Sequence, residues 1–427
     1  KNTAYMTKMA TVDITTTLES GDTIAISSTA DLQKLATLVN SGKVNGATFV
    51  LANNIDTSST TLCPIGTTAS HSFNGKFDGN GYVIKNVSME TGSAAAEKYL
   101  GFFGYVSGAE IKNLGLENVN IRAGANSNYA GGLAGIATSS KISNCYVTGS
   151  VTSNSTIESD MTESSYTGGL VGQLISGTIT SCASSATVSA VAGNVGGFAG
   201  IISSVVVNQS FSTGNVHSSS NNSPCGGFIG SLDGGTISDS YSAGTVVASA
   251  VNNSNTGGFI GALKHYTSGG WALNNVSYYN NSMLFASGSS YTAVVSTTTT
   301  INNSATNAVC NGGTAAPSTT VSSLQGGKEK TMTESTTFAE LGLTAKAYVK
   351  LSLSGTIQTY TVKTTDSVGS LVSYLNEKGF TASITDGKLT VVGSDSAYVE
   401  DWGSLRFKIK FNSYHGYQNS VIATGTE

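Results

Sequence analysis

Apolar and polar positions in this chain recur by column. Aligned on the glycine that precedes a Leu or Phe, six segments match: Gly101-Phe102-Phe103-Gly104, Gly132-Leu133-Ala134-Gly135, Gly169-Leu170-Val171-Gly172, Gly197-Phe198-Ala199-Gly200, Gly227-Phe228-Ile229-Gly230 and Gly258-Phe259-Ile260-Gly261. The steps between them are 31, 37, 28, 30 and 31 residues, a spacing that means stacked repeats. Ten places after that glycine the four middle repeats carry Ile142, Ile179, Val207 and Ile237. Thirteen places on stand Cys145, Cys182, Ser210 and Ser240, and nineteen places on Val151, Val188, Val216 and Val246. None of these columns needs a gap, so insertions should leave at one corner of the repeat. The intervening segments are short, rich in β-formers and partly alternating, as half-buried strands are. The reading is an all-β fold: a right-handed parallel β-helix in which each repeat is one coil and coils pair about 4.8 Å apart. The Val and Leu/Phe columns become interior ladders, and the Gly columns mark corners. A β-propeller blade would need about 40 residues or more.

The pattern changes at both ends. Residues 10–18 and 23–27 read as opening strands. Residues 29–41 read as a helix with Leu32, Leu35, Leu38 and Val39 on one face, Thr29 or Ser28 as N-cap and Gly42 as its stop,. It is expected to plug the N-terminal end of the tube, where strand edges need covering. Asp78-Gly79-Asn80-Gly81 is a turn; it lacks the acidic ligands of a calcium loop. Residues 153–167 form an acidic insert with Glu158, Asp160 and Glu163. From about 345 a small α+β grammar takes over. Strands are expected at 348–353 and 358–363, and a helix at 366–378 with Val368, Leu371, Val372 and Leu375 on one side. Gly379 ends that helix, and a hairpin turns on Asp386-Gly387. The expected domains are therefore 1–285 (β-helix with cap), 286–344 (irregular final coils and linker) and 345–427 (α+β).

Gly-Gly-Leu/Phe-x-Gly, followed by an Ile/Val strand and a Thr-Gly-x-Val strand, resembles the GLUG-motif repeat of bacterial surface proteins, including IgA-peptidase-like proteins and haemagglutinin-like adhesins. Pro64-Ile65-Gly66, Phe73-Asn74-Gly75 and Phe77-Asp78-Gly79-Asn80-Gly81 resemble the lead-in to such repeats, so the likeness covers roughly residues 25–285. It implies a surface or secreted β-helix and brings no catalytic residues, since no His-Glu-x-x-His occurs. Thr359-Tyr360-Thr361-Val362, the run 370–376, Ala382-Ser383-Ile384 and the run 387–391 resemble the flagellin hook IN motif. That likeness implies a structural part of a secreted assembly.

Charge narrows the function further. The net charge is −4, with 11% charged residues and two arginines, Arg122 and Arg406. Nucleic acid wants a basic stripe and is excluded. No apolar run is long enough for a membrane-spanning helix. The chain begins at Lys1 without a leader pattern, so a mature or excised product is expected. Five cysteines show no CxxC spacing, and no metal or cofactor is expected. Cys145 and Cys182 share a column, so a disulfide is conceivable beside the reading that both are small core residues. Between 131 and 281 the only acids are Glu158, Asp160, Glu163, Asp233 and Asp239, without any Arg. His71, His217, His265 and His415 lack a metal spacing.

The leading expectation is therefore a non-catalytic, extracellular or cell-surface adhesin-like protein with a host-surface protein or glycan as partner. The template breaks over 262–281, where His265, Tyr266, Trp271, Tyr278 and Tyr279 are the candidate binding residues, read as a larger loop with aromatics outside. Self-association is expected, if anywhere, through the C-terminal domain. The alternatives are an exposed domain of a flagellar hook or filament protein, and a carbohydrate-active β-helix enzyme.

Overall fold

The computed structural model describes residues 6–91, 98–157, 164–220, 223–242, 244–248, 256–263, 271–278, 283–285, 301–302, 329–330, 332–341, 343, 345–385, 387–394, 396–401, 405, 409–414 and 420–426. It is mostly strand, and about seven turns of the chain form a parallel β-solenoid. One coil reads Tyr129–Gly131, Ala134–Ser143, Tyr146–Ser153. The next reads Tyr166–Gly168, Val171–Thr180, Ala183–Ser184, Thr187–Ala190. The short first strands of six coils make their own sheet, and the longer strands join a 24-stranded one.

Every coil brings the same column back to the same place. Ile111, Ile142, Ile179, Val207, Ile237 and Leu273 pair in sequence from coil to coil. Ile121, Val151, Val188, Val216 and Val246 do the same. All of these side chains are buried in one continuous core, and each contributes roughly 1.5–3 kcal/mol relative to exposure. The Leu/Phe column, Phe102, Leu133, Leu170, Phe198, Phe228 and Phe259, lies inside with them. Backbone groups pair between coils even at the bends: the amide of Phe198 donates to the carbonyl of Phe228 at 2.8 Å, and that of Phe228 to Phe259 at 2.9 Å.

Glycine corners are present, with Gly149, Gly177 and Gly235 at positive φ, but polar residues share the task with them. Left-handed backbone is carried by small polar residues in three columns: Ser139, Ser176 and Ser204; Asn113, Asn144, Ser181, Gln209 and Asp239; Asn86 and Asn118, all with φ between 47° and 62°. Asn tolerates that region because its amide bonds locally, and here the amides form ladders. The Asn144 Nδ2 donates to Asn113 Oδ1 (3.3 Å), and Asn113 Nδ2 to Asp78 Oδ1 (3.1 Å). In the other column Asn118 Nδ2 donates to Asn86 Oδ1 (2.8 Å), and Asn86 Nδ2 to Asp56 Oδ1 (2.9 Å). The Gly-Gly pairs serve close approach: a methyl on Gly131 would sit 2.7 Å from the Cα of Val171 in the next coil,.

At the N-terminus the helix α1 spans Thr29–Asn40, capped by Ser28, whose side chain accepts from the Asp31 amide,. Its buried Leu32, Leu35, Leu38 and Val39 join the solenoid core. Residues 10–17 form no strand, and the expected segment contributes Leu18 alone to one, paired with Val44. Met9–Thr11 is a single 3-10 turn, and Thr15 folds back onto the Asp13 carboxylate (2.8 Å). Lys34 of α1 donates to the carbonyls of Met9, Ala10 and Val12 at 2.9–3.1 Å, which claims acceptors that a ladder would have used.

The C-terminal part has a separate core that takes in Met332, Phe338, Leu341, Leu343, Val349, Leu371 and Leu375. The strands Ala347–Leu353 and Thr356–Val362 precede a second helix, α2, Val368–Glu377. The hairpin Thr381–Thr385 and Lys388–Val392 follows, with Gly387 at φ 74° in its turn. The solenoid turn at Tyr82 meets this part through Tyr348, the two rings stacking at 4.9 Å.

Candidate binding surface

The loop expected at 262–281 is in part a strand. Trp271–Tyr278 continues the solenoid, with Trp271 level with Gly235 and Tyr278 level with Ser242. His265, Tyr266 and Tyr279 lie outside the described residues. The insertion therefore leaves between the strands Ile260–Leu263 and Trp271–Tyr278, a second corner that the single-corner expectation did not include.

A different aromatic array lies on the outside of the tube. Tyr99, Tyr129 and Tyr166 open three successive short strands and are aligned by their register. Their neighbours Leu100 and Ala130 face the core, so alternation turns the tyrosines outward. The Tyr99 and Tyr129 rings stack at 4.8 Å and 28°, and Tyr129 and Tyr166 lie 5.4 Å apart at 33°. Tyr105, on the facing strand, sets its ring edgewise on Tyr99 at 4.9 Å. All four are half-buried. Burial pushes the phenols of Tyr99 and Tyr166 up from their ordinary value, with Tyr105 adding to the effect at Tyr99. The row is therefore neutral at ordinary pH, apolar along its rings and polar at its hydroxyls. It stops at Asn194, which is fully buried and accepts from Ser231 Oγ (2.5 Å).

A second outer group is tied down more firmly. The Tyr146 ring lies over Gly115, and its hydroxyl donates to Glu117 Oε1 (2.6 Å). Lys85 approaches the same carboxylate at 3.7 Å. Tyr146 and Glu117 are buried, 5% and 8% exposed, so this group fastens neighbouring coils and offers little to a ligand. Phe211 and Tyr241 stack at 5.1 Å in the same column.

The remaining candidates do not converge. Asp233 lies level with Ser203, while Asp239 occupies a left-handed corner beyond the next turn. Glu158, Asp160, Glu163 and His415 lie outside the described residues. His217 pairs with Ser189 Oγ at 3.5 Å, and His71 sits against Gly42. Among the described residues no three His, Cys, Asp or Glu side chains form a metal-holding group. Cys145 and Cys182 are free and buried. Each thiol contacts the carbonyl two residues back, at 3.3 and 3.4 Å. Burial pushes the Cys145 thiol well up, with Cys182 adding to it, and takes Cys225 to about 12; such thiols are inert as nucleophiles.

The chain carries GLUG repeats: a family model of the GLUG motif matches residues 126–152 and 163–189, the two coils that hold Tyr129 and Tyr166. No curated protein matches. Among solved structures the chain is similar to a Bacteroides ovatus protein described as a "putative immunoglobulin A1 protease", at 21% identity and a TM-score of 0.50. The match covers 65% of this chain and 81% of that one. It shows a shared solenoid fold.

Proposed function

We propose that this protein is a secreted or cell-surface, adhesin-like scaffold whose outer tyrosine row contacts an elongated ligand, a glycan chain or an extended host-surface segment, lying along the tube. The observation that carries this reading is the in-register array Tyr99–Tyr129–Tyr166 with Tyr105 against it. A parallel solenoid repeats one contact at every coil, so a linear partner of matching repeat can make the same contact several times. Stacked rings expose edges and hydroxyls, so recognition combines hydrogen bonding with a narrow apolar strip. Tyrosine suits such a surface because it brings contact area with little rotamer entropy to lose.

The test is a glycan array together with host-cell binding, using the whole chain and the triple variant Tyr99→Leu, Tyr129→Leu, Tyr166→Leu. Leucine keeps the apolar cover and removes the hydroxyls. The expected result is binding weakened by about tenfold or more with unchanged far-UV circular dichroism. Binding unaltered by the variant would move the site elsewhere; a wild-type protein that binds nothing would end the adhesin reading. The name given to the Bacteroides ovatus protein suggests peptide hydrolysis as a second reading. Incubation with immunoglobulin A1 decides it, intact chains on gels counting against a protease.

A further inference from the structure

Among the described residues, the C-terminal part ends one of its sheets in an open edge. The three-stranded sheet runs Thr356–Val362, Ala347–Leu353, Ala397–Asp401, so its two outer strands differ sharply. Ala397–Asp401 is five residues long and finishes in Glu400-Asp401, the charged kind of edge that resists further pairing. Thr356–Val362 is seven residues, Thr-Ile-Gln-Thr-Tyr-Thr-Val, without a charge, a proline or a glycine. It leaves its partner through a tight turn at Ser354-Gly355, both at positive φ, as a two-residue hairpin demands. Residues 356–359 are exposed, and Ile357 is 46% accessible. Gln358 and Thr356 stand opposite the core residue Leu351 and its neighbour Leu353, yet are themselves in solvent. The hairpin tip therefore projects beyond the core, and its outer row of N–H and C=O groups has no strand beside it among the described residues.

We propose that this edge pairs antiparallel with the same strand of a second copy, about a twofold axis through Thr359, to make a continuous six-stranded sheet. The sequence is self-complementary in that register. Thr359 meets Thr359, Gln358 meets Tyr360, Ile357 meets Thr361 and Thr356 meets Val362. These are hydroxyl pairs, an aromatic–amide pair and β-branched pairs, the combinations that favour neighbouring strands, and no like charges meet. A twofold axis makes such a contact closed, so it yields a dimer rather than a fibre. The contact is confined to one strand edge, which makes it a weak, concentration-dependent association. In a surface protein it would present two solenoids together and multiply a repeated contact.

Sedimentation velocity on the whole chain tests this, at concentrations up to about 100 µM. Wild type is expected to shift from monomer to dimer over that range. The variant I357K/T361K puts lysines opposite lysines at two places and is expected to weaken association about tenfold or more, with circular dichroism unchanged. Mixing it with I357E/T361E should restore the dimer, because only the antiparallel register centred on Thr359 sets residue 357 against residue 361. A wild type that stays monomeric, a lysine variant that dimerises as before, or a mixture that fails to recover would each overturn the proposal.

Discussion

The early and late coils of one tube are filled on different plans. Near the N-terminal end the aromatic rings pack irregularly. Phe103 touches Phe73 at 4.9 Å and 36°, Phe77 at 5.6 Å and 82°, and Phe102 at 4.9 Å and 84°. Leu114, Leu116 and Val147 fill the facing wall. In the later coils the rings lie in register. Phe198 stacks on Phe228 at 4.4 Å and 18°, and Phe228 on Phe259 at 4.8 Å and 6°. Opposite them the wall has shrunk to Ser184, Ser212 and Ser242, with Ser210 and Ser240 replacing the two cysteines one column away. Their hydroxyls are satisfied inside: Ser212 Oγ donates to the Gly227 carbonyl (2.7 Å), Ser242 Oγ to the Gly258 carbonyl, and Ser210 Oγ to the Asn208 carbonyl (2.9 Å). The tube conserves filled volume, and the hydroxyls come without an unpaired donor. Ser212 and Ser242 share their coils with Phe198 and Phe228, whereas Val147 shares its coil with Leu133.

The largest test of that difference is in the rings. Phe103→Ala and Phe228→Ala should each cost about 3–5 kcal/mol, read as a fall in the urea midpoint. The leucine variants should separate the two plans. Phe228→Leu is expected to recover most of the loss, to within about 1.5 kcal/mol, because Leu133 and Leu170 already occupy that column. Phe103→Leu should recover less, since Phe103 packs against three rings at once, those of Phe73, Phe77 and Phe102. Equal recovery at both positions would break the comparison.

The same contrast governs what the sequence disclosed. Interior columns were legible because a ladder repeats one residue type at one offset, and Val151, Val188, Val216 and Val246 needed no more than counting. Helix α2 was legible because Val368, Leu371, Val372 and Leu375 have a local period. The corners were legible in part: Gly149 carries positive φ, but Asn113, Asn144 and Ser181 carry it in a column that no glycine marks, and their side-chain bonds run between coils. The tyrosine row was missed because the repeats were counted forward from Gly-Gly, whereas Tyr129 and Tyr166 stand three places before the second glycine of each pair. An opening strand was expected at 10–18, and nothing local could reveal that Lys34 would take the carbonyls of Met9, Ala10 and Val12. Insertion at a new corner hid the strand Trp271–Tyr278, although Leu273 and Val276 fit its template. The further candidate residues of that loop fall outside what the structure describes.

A smaller effect sharpens the comparison from the opposite wall. Ser212→Val places the early-coil residue of that column into a late coil. It removes the bond to Gly227 and crowds the ring column, so a loss of about 1–3 kcal/mol is expected. Val147→Ser in the early half leaves a gap and a hydroxyl, with a loss of similar size. The double exchange should not add up to wild type, because Ser212 shares its coil with the Phe198 ring and Val147 with the smaller Leu133. Thermal midpoints of the two single variants and the double would show it. A harmless Ser212→Val would mean that the late wall has spare room and that volume is not what the columns share.

The smallest expected effect concerns pH and lies in the early coils. The amide ladder Asn118–Asn86 ends on Asp56. The Asn86 amide, then the Ser58 backbone N–H (2.9 Å), hold the carboxyl below its ordinary 3.8, against a small opposing effect of burial. A carboxyl whose folded value is lowered contributes stability that is complete above its unfolded value and fades as pH falls through the folded one. Asp56 is exposed, so solvent screening keeps the effect slight. Between pH 5 and pH 2 the wild type should therefore lose slightly more thermal stability than Asp56→Asn, a difference of about 1–2 °C in midpoint. If Asp56→Asn follows the wild-type curve, the early ladder is held by its amides alone and the carboxylate at its end adds nothing.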